Sequence, residues 1–522
     1  MSPPQNRVVV IGAGIGGLTA AIRLAGAGCD ITLVEAHTHP GGKMRTVPSD
    51  AGLIDAGPTV MTMRPIFEAL FESIGERLAD HVTLHREPLL ARHWWPDGSA
   101  LDLFDDSKAS QAAVRDFAGP KAEAEFCRFC EKTQILYTAF DALMMKTASP
   151  SILVLAAHVL QRPWLIQRMA PLRTLAQSLR TDFSDTRLRQ LFGRYATYVG
   201  GSPYQSPALL SLIWHSEAQG IWRVEGGMHR LAEAMLALAQ NLGAAVIFGQ
   251  SATRIEQQSG RITAVQLSDG TRLPCDSVVF NGDPKALCAG ALGVTAKTAI
   301  ARQAAYPRSL SAFVWSFAAE PAGVPLAHHN IFFGQDPRTE FDPISQGRMP
   351  EDPTFYVCAQ DRGGNILSEG IERFEIIMNA PAGIQPQPEE AATCQTRTFE
   401  TLRQRGLSFS PKPEMNALTT PTAFNQLFPH SDGALYGRSP HGMMAAFQRP
   451  TVQSRVPGLF LAGGGVHPGA GIPMACLSGQ HAAAAILSGH ASTSRCRQTV
   501  TPGGILTASA TMASVRSRSS AS

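Results

Sequence analysis

The stretch VVVIGAGIGGLTAAIRLAGAGCDITLVEA, residues 8–36, constrains this chain more than any other. Arg7–Ile11 reads as a strand, Ile15–Gly28 as a helix and Asp30–Glu35 as a second strand, a βαβ opening. Gly12, Gly14 and Gly17 make a GxGxxG pattern between strand and helix, with Gly16 inside the same turn. The first two glycines permit a tight turn and the approach of backbone to a pyrophosphate at the helix N-terminus. Gly17 lets the helix press against the strand. Glu35 ends the next strand, where its carboxylate can take both hydroxyls of a ribose. Strand, helix and acid together imply dinucleotide binding, where the glycines alone would fit an ordinary βα turn. The pattern occurs once, so a second dinucleotide such as NADPH is not expected.

Composition narrows the remainder. At ~150 residues per domain, 522 residues hold about three domains' worth of chain. Lys+Arg 45 against Asp+Glu 42 leaves +3, so no strong field selects for nucleic acid. Charged residues are only 17% and hydrophobic ones 44%, which excludes a disordered chain and suggests generous apolar surface. Nine scattered cysteines argue for a reducing compartment. Cys127 and Cys130 form a CxxC in a polar helical run, with no second pair to complete a metal site, so no metal is expected. Val8–Ile22 imitates a signal peptide, but its glycines would break the apolar segment. Val456–Ser494 carries no Asp, Glu, Lys or Arg, yet Pro457, Gly463–Gly465, Pro468 and Pro473 interrupt it. It reads as strand, glycine turn and helix, and no transmembrane span is expected.

Pro65 to about Ile213 reads as mostly helical, with breaks at Pro120, Pro150, Pro163 and Pro203. Met228–Leu242 is a further helix, followed by the strands AAVIFG and SATRIEQ and a hairpin around Asp269-Gly270. Residues 301–420 mix strands such as SLSAFVWSF and FEIIMNA with a helix at Glu389–Arg405. The strand Gly458–Ala462 and the helix Ile472–Leu487 close the folded part. The Ser/Thr/Ala/Arg-rich remainder, 489–522, is expected to be a disordered tail.

Beyond Glu35 come Gly41-Gly42-Lys43-Met44-Arg45 and Asp55-Ala56-Gly57-Pro58-Thr59-Val60. With these segments the sequence resembles the glutathione-reductase-like flavoproteins, in the branch holding amine oxidases and carotenoid desaturases. The resemblance implies FAD, with Gly42, Lys43 and Arg45 along its diphosphate and ribityl chain and Gly57, Pro58, Thr59 and Val60 following. VPGLFLAGGGVHPGAGIPMACLSGQHAA is similar to the closing FAD motif. That motif would put Gly464 and Gly465 near the ribityl chain, and Gly471, Ile472 and Met474 near the flavin's pyrimidine end. The helix's positive end would stabilise an anionic reduced flavin. Ala252 in SATRIEQ falls where the family's backbone holds the adenine, though valine is commoner there. Asn281, ending VVFN, matches a turn beside the cofactor.

The resemblance narrows to the bacterial phytoene-desaturase type through HPGGKMRT, DAGPTVMT, YVGGSPYQSPALLSLI, GIWRVEGGMHRLAEAM and GVHPGAGIP, and it extends to about residue 488. GPTVMTMRPIFEALF and WRVEGGMHRLAEAM look most like the 1-hydroxycarotenoid 3,4-desaturases (methoxyneurosporene dehydrogenases) of purple bacteria. The implied fold is α/β: a glutathione-reductase-like FAD-binding Rossmann domain, a mixed α+β substrate domain and a helical membrane-associated region. The FAD-binding domain is expected from 1–90, 222–300 and 421–488, a helical lid from 91–221, and the substrate domain from 301–420.

No HExxH, GxSxG or Cys–His nucleophile is present, and a desaturase needs none. Hydride leaves to the flavin, and the polyene cation then loses a proton to a weak base or water. No catalytic residue is identified. His215, His229 and Glu217 are candidates for polar help, each more commonly a surface or structural residue. A polar closed end to an apolar substrate tunnel is placed at Trp222–His229. The stretch SPSILVLAAHVLQRPWLIQRMAPL reads either as an interfacial segment or as a core helix pair. The expected partners are an acyclic carotenoid, a membrane surface, and quinone or dioxygen as electron acceptor, with no nucleic acid. The expected location is cytoplasmic, at the periphery of the inner membrane. The alternatives are a phytoene desaturase making lycopene or neurosporene, a flavin-dependent carotene isomerase, and a non-enzymatic prenyl-binding escort protein.

Overall fold

The β-branched run Val8–Val10 is sealed from solvent, as expected of a strand covered on both faces. In the computed structural model, which describes residues 6–363, 370–385 and 388–497, it forms β1 (Arg7–Ile11). α1 (Ile15–Gly26) and β2 (Asp30–Glu35) follow. β1 is the middle of a five-stranded parallel sheet ordered Leu459–Leu461, Ser277–Phe280, β1, β2, Ala245–Phe248. Ile11, Phe280 and Leu461 stand at one level across neighbouring strands. Their chains therefore leave the sheet at the same edge, where ligands of such sheets gather.

The helix Ile472–Arg497 lies across α1 at backbone distance: a Cβ on Gly479 would stand 2.3 Å from the Gly16 carbonyl oxygen. A three-stranded antiparallel sheet (Ala252–Gln258, Arg261–Leu267, Arg272–Pro274) flanks this unit and turns at Asp269-Gly270.

A second, eight-stranded sheet runs Leu407–Ser410, Ser311–Gly323, Glu372–Ala380, Phe355–Ala359, His329–Phe332, Leu89–Trp94, Ala100–Phe104, with Leu418–Thr419 on Ser311–Gly323. Its far face buries Phe313, Trp315, Phe317, Phe374, Ile376 and Met378. The helices Ser107–Phe140, Leu175–Asp182, Thr186–Gly193 and Leu212–Ala218 enclose a separate aromatic core that includes Phe126, Phe129, Phe183, Phe192 and Trp214.

Two expectations change. The helical run from Pro65 is broken by the strands Leu84–Arg86, Leu89–Trp94 and Ala100–Phe104. Leu101 and Leu103 alternate with more open neighbours, Asp97-Gly98 makes the turn, and Arg92 pairs with Asp102 across it at 2.7 Å. The last helix continues to Arg497 instead of ending at Leu487. The rest of the expected disordered tail lies outside the described residues.

The crossing at Gly479 leaves no space for a side chain. Gly479→Val should cost ~1–3 kcal/mol of stability by overpacking, seen as a lower unfolding midpoint in circular dichroism.

Candidate active site

At the sheet edge the backbone crowds until only glycine fits. Gly12 has φ +99°. A Cβ on Gly17 would lie 2.0 Å from the Gly12 oxygen, and one on Gly16 would lie 2.6 Å from the Gly463 nitrogen. Asn281 fills the same corner: its Nδ2 donates to the Gly12 carbonyl at 3.2 Å, and its buried Oδ1 has no partner. α1 begins at Gly14 with no side-chain cap, so its first amides stay available to an anion. Glu35 is buried and accepts from the Ala13 amide at 2.6 Å and the His37 amide at 2.9 Å. The chain before Ala252 passes the same acid, with the Gln250 amide donating to the Glu35 carbonyl at 3.1 Å.

Gly41 and Gly42 lie against this turn. The Gly41 amide donates to Ala13, and a Cβ on Gly42 (φ +58°) would come within 3.3 Å of the Gly14 Cα. The Lys43 ammonium donates to the Leu435 carbonyl. Burial lowers its pKa to about 8, partly offset by Asp283 and reinforced by Arg308 and Arg449. Arg45 donates to Thr419 Oγ1 at 2.8 Å, and its buried Nε has no partner. Both charged heads thus reach the 419–435 segment. Gly57 sits so close to Lys43 that a Cβ would meet its carbonyl oxygen at 2.0 Å. Asp55 caps the helix His229–Asn241, accepting from the Met228 amide at 2.6 Å and the His229 amide at 3.2 Å.

In the closing segment, Gly463 and Gly471 have φ of +99° and +106°. The Gly464 carbonyl accepts from Arg449 at 2.8 Å, and Gly465 abuts Pro284. Ile472 opens the last helix, with Met474 half-buried in its first turn.

A cavity of about 680 Å³ opens beside these segments, within the ~300–1,000 Å³ usual for ligand sites. Gly57, Pro58, Thr59, Val60, Gly471, Ile472 and Pro473 form one part of its wall, and Tyr356, Ile377, Asn379 and Tyr436 another. Exposed Arg180, Thr186, Gln335 and Asp336 mark its mouth. Arg194 donates to the Tyr198 hydroxyl at 3.1 Å, and both line the cavity.

None of the three polar candidates lines it. The His229 Nδ1–H donates to the Met44 carbonyl at 2.7 Å, so this ring braces the Gly41–Arg45 turn. None of the residues Trp222–His229, where the polar tunnel end was expected, lines this cavity. Glu217 accepts from the Tyr195 hydroxyl at 2.6 Å inside the helical core, and His215 contacts Gln219 and Tyr137. In the CxxC, Cys130 accepts from the Trp214 indole, and burial raises its pKa to about 12.

Sequence reasoning passed over Tyr356, Tyr436 and His329. The signal available was a tyrosine in the otherwise apolar strand FYVCA. Tyr356 shares its hydroxyl with Thr59 Oγ1 and His329 Nδ1, each at 2.7 Å. His328, His329 and Cys358 also meet, with ligand-type atoms within 4.8 Å. The Arg362 carbonyl already occupies His328 Nδ1.

Burial holds several histidines neutral. It lowers His93 to about 3, with Arg194 adding to the effect, and lowers His441 and His467 to about 4. The unfolded chain binds these protons near pH ~6.5, and the folded chain does not until well below. Stability should therefore be full above about pH 7 and fall as pH drops from ~6.5 toward 4. Urea midpoints taken between pH 8 and pH 5 check this.

The sequence and structure have the following relatives. The family model for flavin-containing amine oxidoreductases matches residues 15–315. A hydroxyneurosporene desaturase of Cereibacter sphaeroides is 55% identical over 489 residues, covering 94% of this chain and 99% of the relative. One from Rhodobacter capsulatus is 51% identical, covering 93% and 98%. Among solved structures, cyclohexylamine oxidase from Brevibacterium oxydans superposes with a TM-score of 0.55 at 18% identity, covering 94% and 100%. The fold and its glycine-lined edge are those of an FAD-dependent oxidoreductase. The chain belongs to the flavin-containing amine oxidoreductases and, within them, to the bacterial carotenoid desaturases. The residues present suit FAD: a cradle closed to any Cβ, an uncapped helix N-terminus and a buried acid beside them.

Proposed function

We propose that the protein introduces the C-3,4 double bond into acyclic carotenoids that carry a 1-hydroxyl or 1-methoxyl group. The observation that carries this reading is identity of 55% and 51% to two hydroxyneurosporene desaturases over nearly their whole length. The cavity supports it, since most of its exposed wall is apolar, yet hydroxyls, the amides of Gln190, Gln335 and Asn379 and the charged Arg189, Arg194 and Glu340 also line it.

Under this reading Gly12, Gly14, Gly16 and Gly17 hold the FAD diphosphate and Glu35 the ribose. Ala252 lies by the adenine, Asn281 at the turn beside the cofactor, and Gly42, Gly464 and Gly465 along the ribityl side. Gly57–Val60, Gly471, Ile472 and Met474 face the flavin ring, with Lys43 and Arg45 bracing the turn from the 419–435 side. Residues 1–90, 222–300 and 421–488 compose most of the FAD unit, and 301–420 with strands 89–104 compose the substrate unit.

Bound FAD supplies the two-electron acceptor for hydride. The chain's own residues hold the polyene in one orientation against that acceptor and exclude water from it. The N-terminal end of the helix Ile472–Arg497, with no acid in its first turn, adds positive potential where negative charge develops.

The deciding experiment is expression in hosts making either phytoene or 1-hydroxyneurosporene, with products read by mass and absorption. Loss of two hydrogens from the hydroxylated carotenoid is expected. Efficient conversion of phytoene with the hydroxylated compound untouched would establish the phytoene-desaturase alternative, and a product of unchanged mass the isomerase.

The substrate and a quinone acceptor both dissolve in bilayers, and one face of the protein suits a bilayer. The helix Ile152–Leu160 buries none of its residues. Leu153 is 81% exposed and Leu172 87%, beside exposed Leu160 and Trp164, with Arg162, Arg168 and Arg173 interspersed. Apolar side chains with arginines at their rim are what a headgroup boundary accepts. No helix of the described residues is long and apolar enough to cross a membrane. We therefore read the protein as peripheral, at the cytoplasmic side of the inner membrane, with quinone or dioxygen reoxidising the flavin. It should co-sediment with anionic vesicles, and Leu153→Gln with Leu160→Gln should weaken that binding at least ~10-fold.

A further inference from the structure

Tyr356 is the one residue of the strand Phe355–Ala359 that is not fully buried, and it opens on the cavity. Its hydroxyl stands between Thr59 Oγ1 and His329 Nδ1, 2.7 Å from each. Thr59 belongs to the Gly57–Val60 wall, and His329 lies behind, 4% exposed. A phenol has one proton to give and oxygen lone pairs to receive. The arrangement that satisfies all three groups has Thr59 donating to Tyr356 and Tyr356 donating to His329. The phenol oxygen, on a residue that lines the cavity, keeps a second lone pair besides the one that Thr59 engages.

We propose that Tyr356 is the catalytic base that takes the proton lost in desaturation and passes its own proton to His329. Thr59 acts as a positioning residue. This rests on the desaturase reading above. FAD, when bound, would supply the acceptor for one substrate hydrogen together with its electron pair. The second, on the adjacent carbon, leaves as a proton, and its C–H electrons become the new π bond. That proton joins the Tyr356 oxygen while the phenolic proton moves to His329 Nδ1. Polyene cation plus neutral tyrosine and imidazole thus become alkene, neutral tyrosine and imidazolium. A cavity filled by a polyene leaves little room for water, so the acceptor has to be in the wall.

The surroundings keep both groups in the starting form. Burial, His328 and Arg194 hold the His329 imidazole neutral, with its lone pair available. Burial, Cys358, Glu375 and Tyr198 keep the Tyr356 phenol protonated, against Thr59. A positioned base of this kind contributes ~10²–10⁴-fold.

The test is a single anaerobic turnover of the FAD-loaded protein with 1-hydroxyneurosporene, following the lengthened polyene by absorption. Tyr356→Phe should slow product formation ~100-fold or more, with flavin occupancy and the carotenoid-binding spectrum unchanged. His329→Gln, which accepts a hydrogen bond but not a proton, should slow it comparably. The wild type should show a normal solvent deuterium isotope effect that Tyr356→Phe abolishes. Wild-type speed in Tyr356→Phe, or no isotope effect in the wild type, would overturn the proposal. The isotope measurement decides alone if the variants lose flavin. A wild type that binds FAD but leaves the hydroxylated carotenoid unchanged overturns the functional reading, and this proposal with it.

Discussion

The structure depends on one crowded corner. β1, Ser277–Phe280 and Leu459–Leu461 end level, and their continuations at Gly12, Asn281 and Gly463 meet the first turn of α1. The distances there leave no room for a Cβ at Gly16 or Gly17. Any side chain would push α1 off the sheet and lift the last helix off α1, because Gly479 rests on the Gly16 carbonyl. Backbone amides therefore line this edge, and backbone amides can approach a diphosphate as no side-chain surface can.

A second set of contacts joins that corner to the substrate sheet. Asp55 caps the helix His229–Asn241 with its carboxylate, and its backbone exchanges two hydrogen bonds with the Gln360 side chain at 2.9 and 2.7 Å. Four residues later Thr59 meets Tyr356. The segment between, Ala56–Pro58, is thus pinned at both ends, one to the dinucleotide sheet's helix and one to the eight-stranded sheet. The cavity lies along this seam, so cofactor motif and substrate wall are held in one fixed relation. Capping alone contributes ~1 kcal/mol, and leaving the buried amides of Met228 and His229 unpaired would cost more.

The cofactor side was legible in the linear chain because its determinants are local. GxGxxG, Glu35 and the closing glycine cluster each act through the backbone of a few consecutive residues, and the βαβ order follows from short runs of β-branched and glycine residues. The strands at 89–104 were missed among helical periodicities, although Asp97-Gly98 between LLARHW and ALDLF is a hairpin signal. His229 illustrates the opposite failure. Its imidazole beside Met228 suggested a polar pocket end, but whether a ring faces a cavity or a neighbouring carbonyl depends on a turn 185 residues away.

The sequence by itself determined the dinucleotide fold, which resides in glycines whose missing side chains are required by backbone geometry, and its resemblance to known flavoproteins gave the cofactor class and the family. Only the tertiary structure decided what surrounds the substrate. Thr59, Tyr356 and His329 come from three separate segments, and 297 residues separate the first two. Their meeting depends on strand register: Tyr356 stands opposite Ile331 on one side and Ile377 on the other. A slip of one residue would turn its hydroxyl into the opposite, aromatic core. Register is a property of the assembled sheet, set by the packing of both its faces.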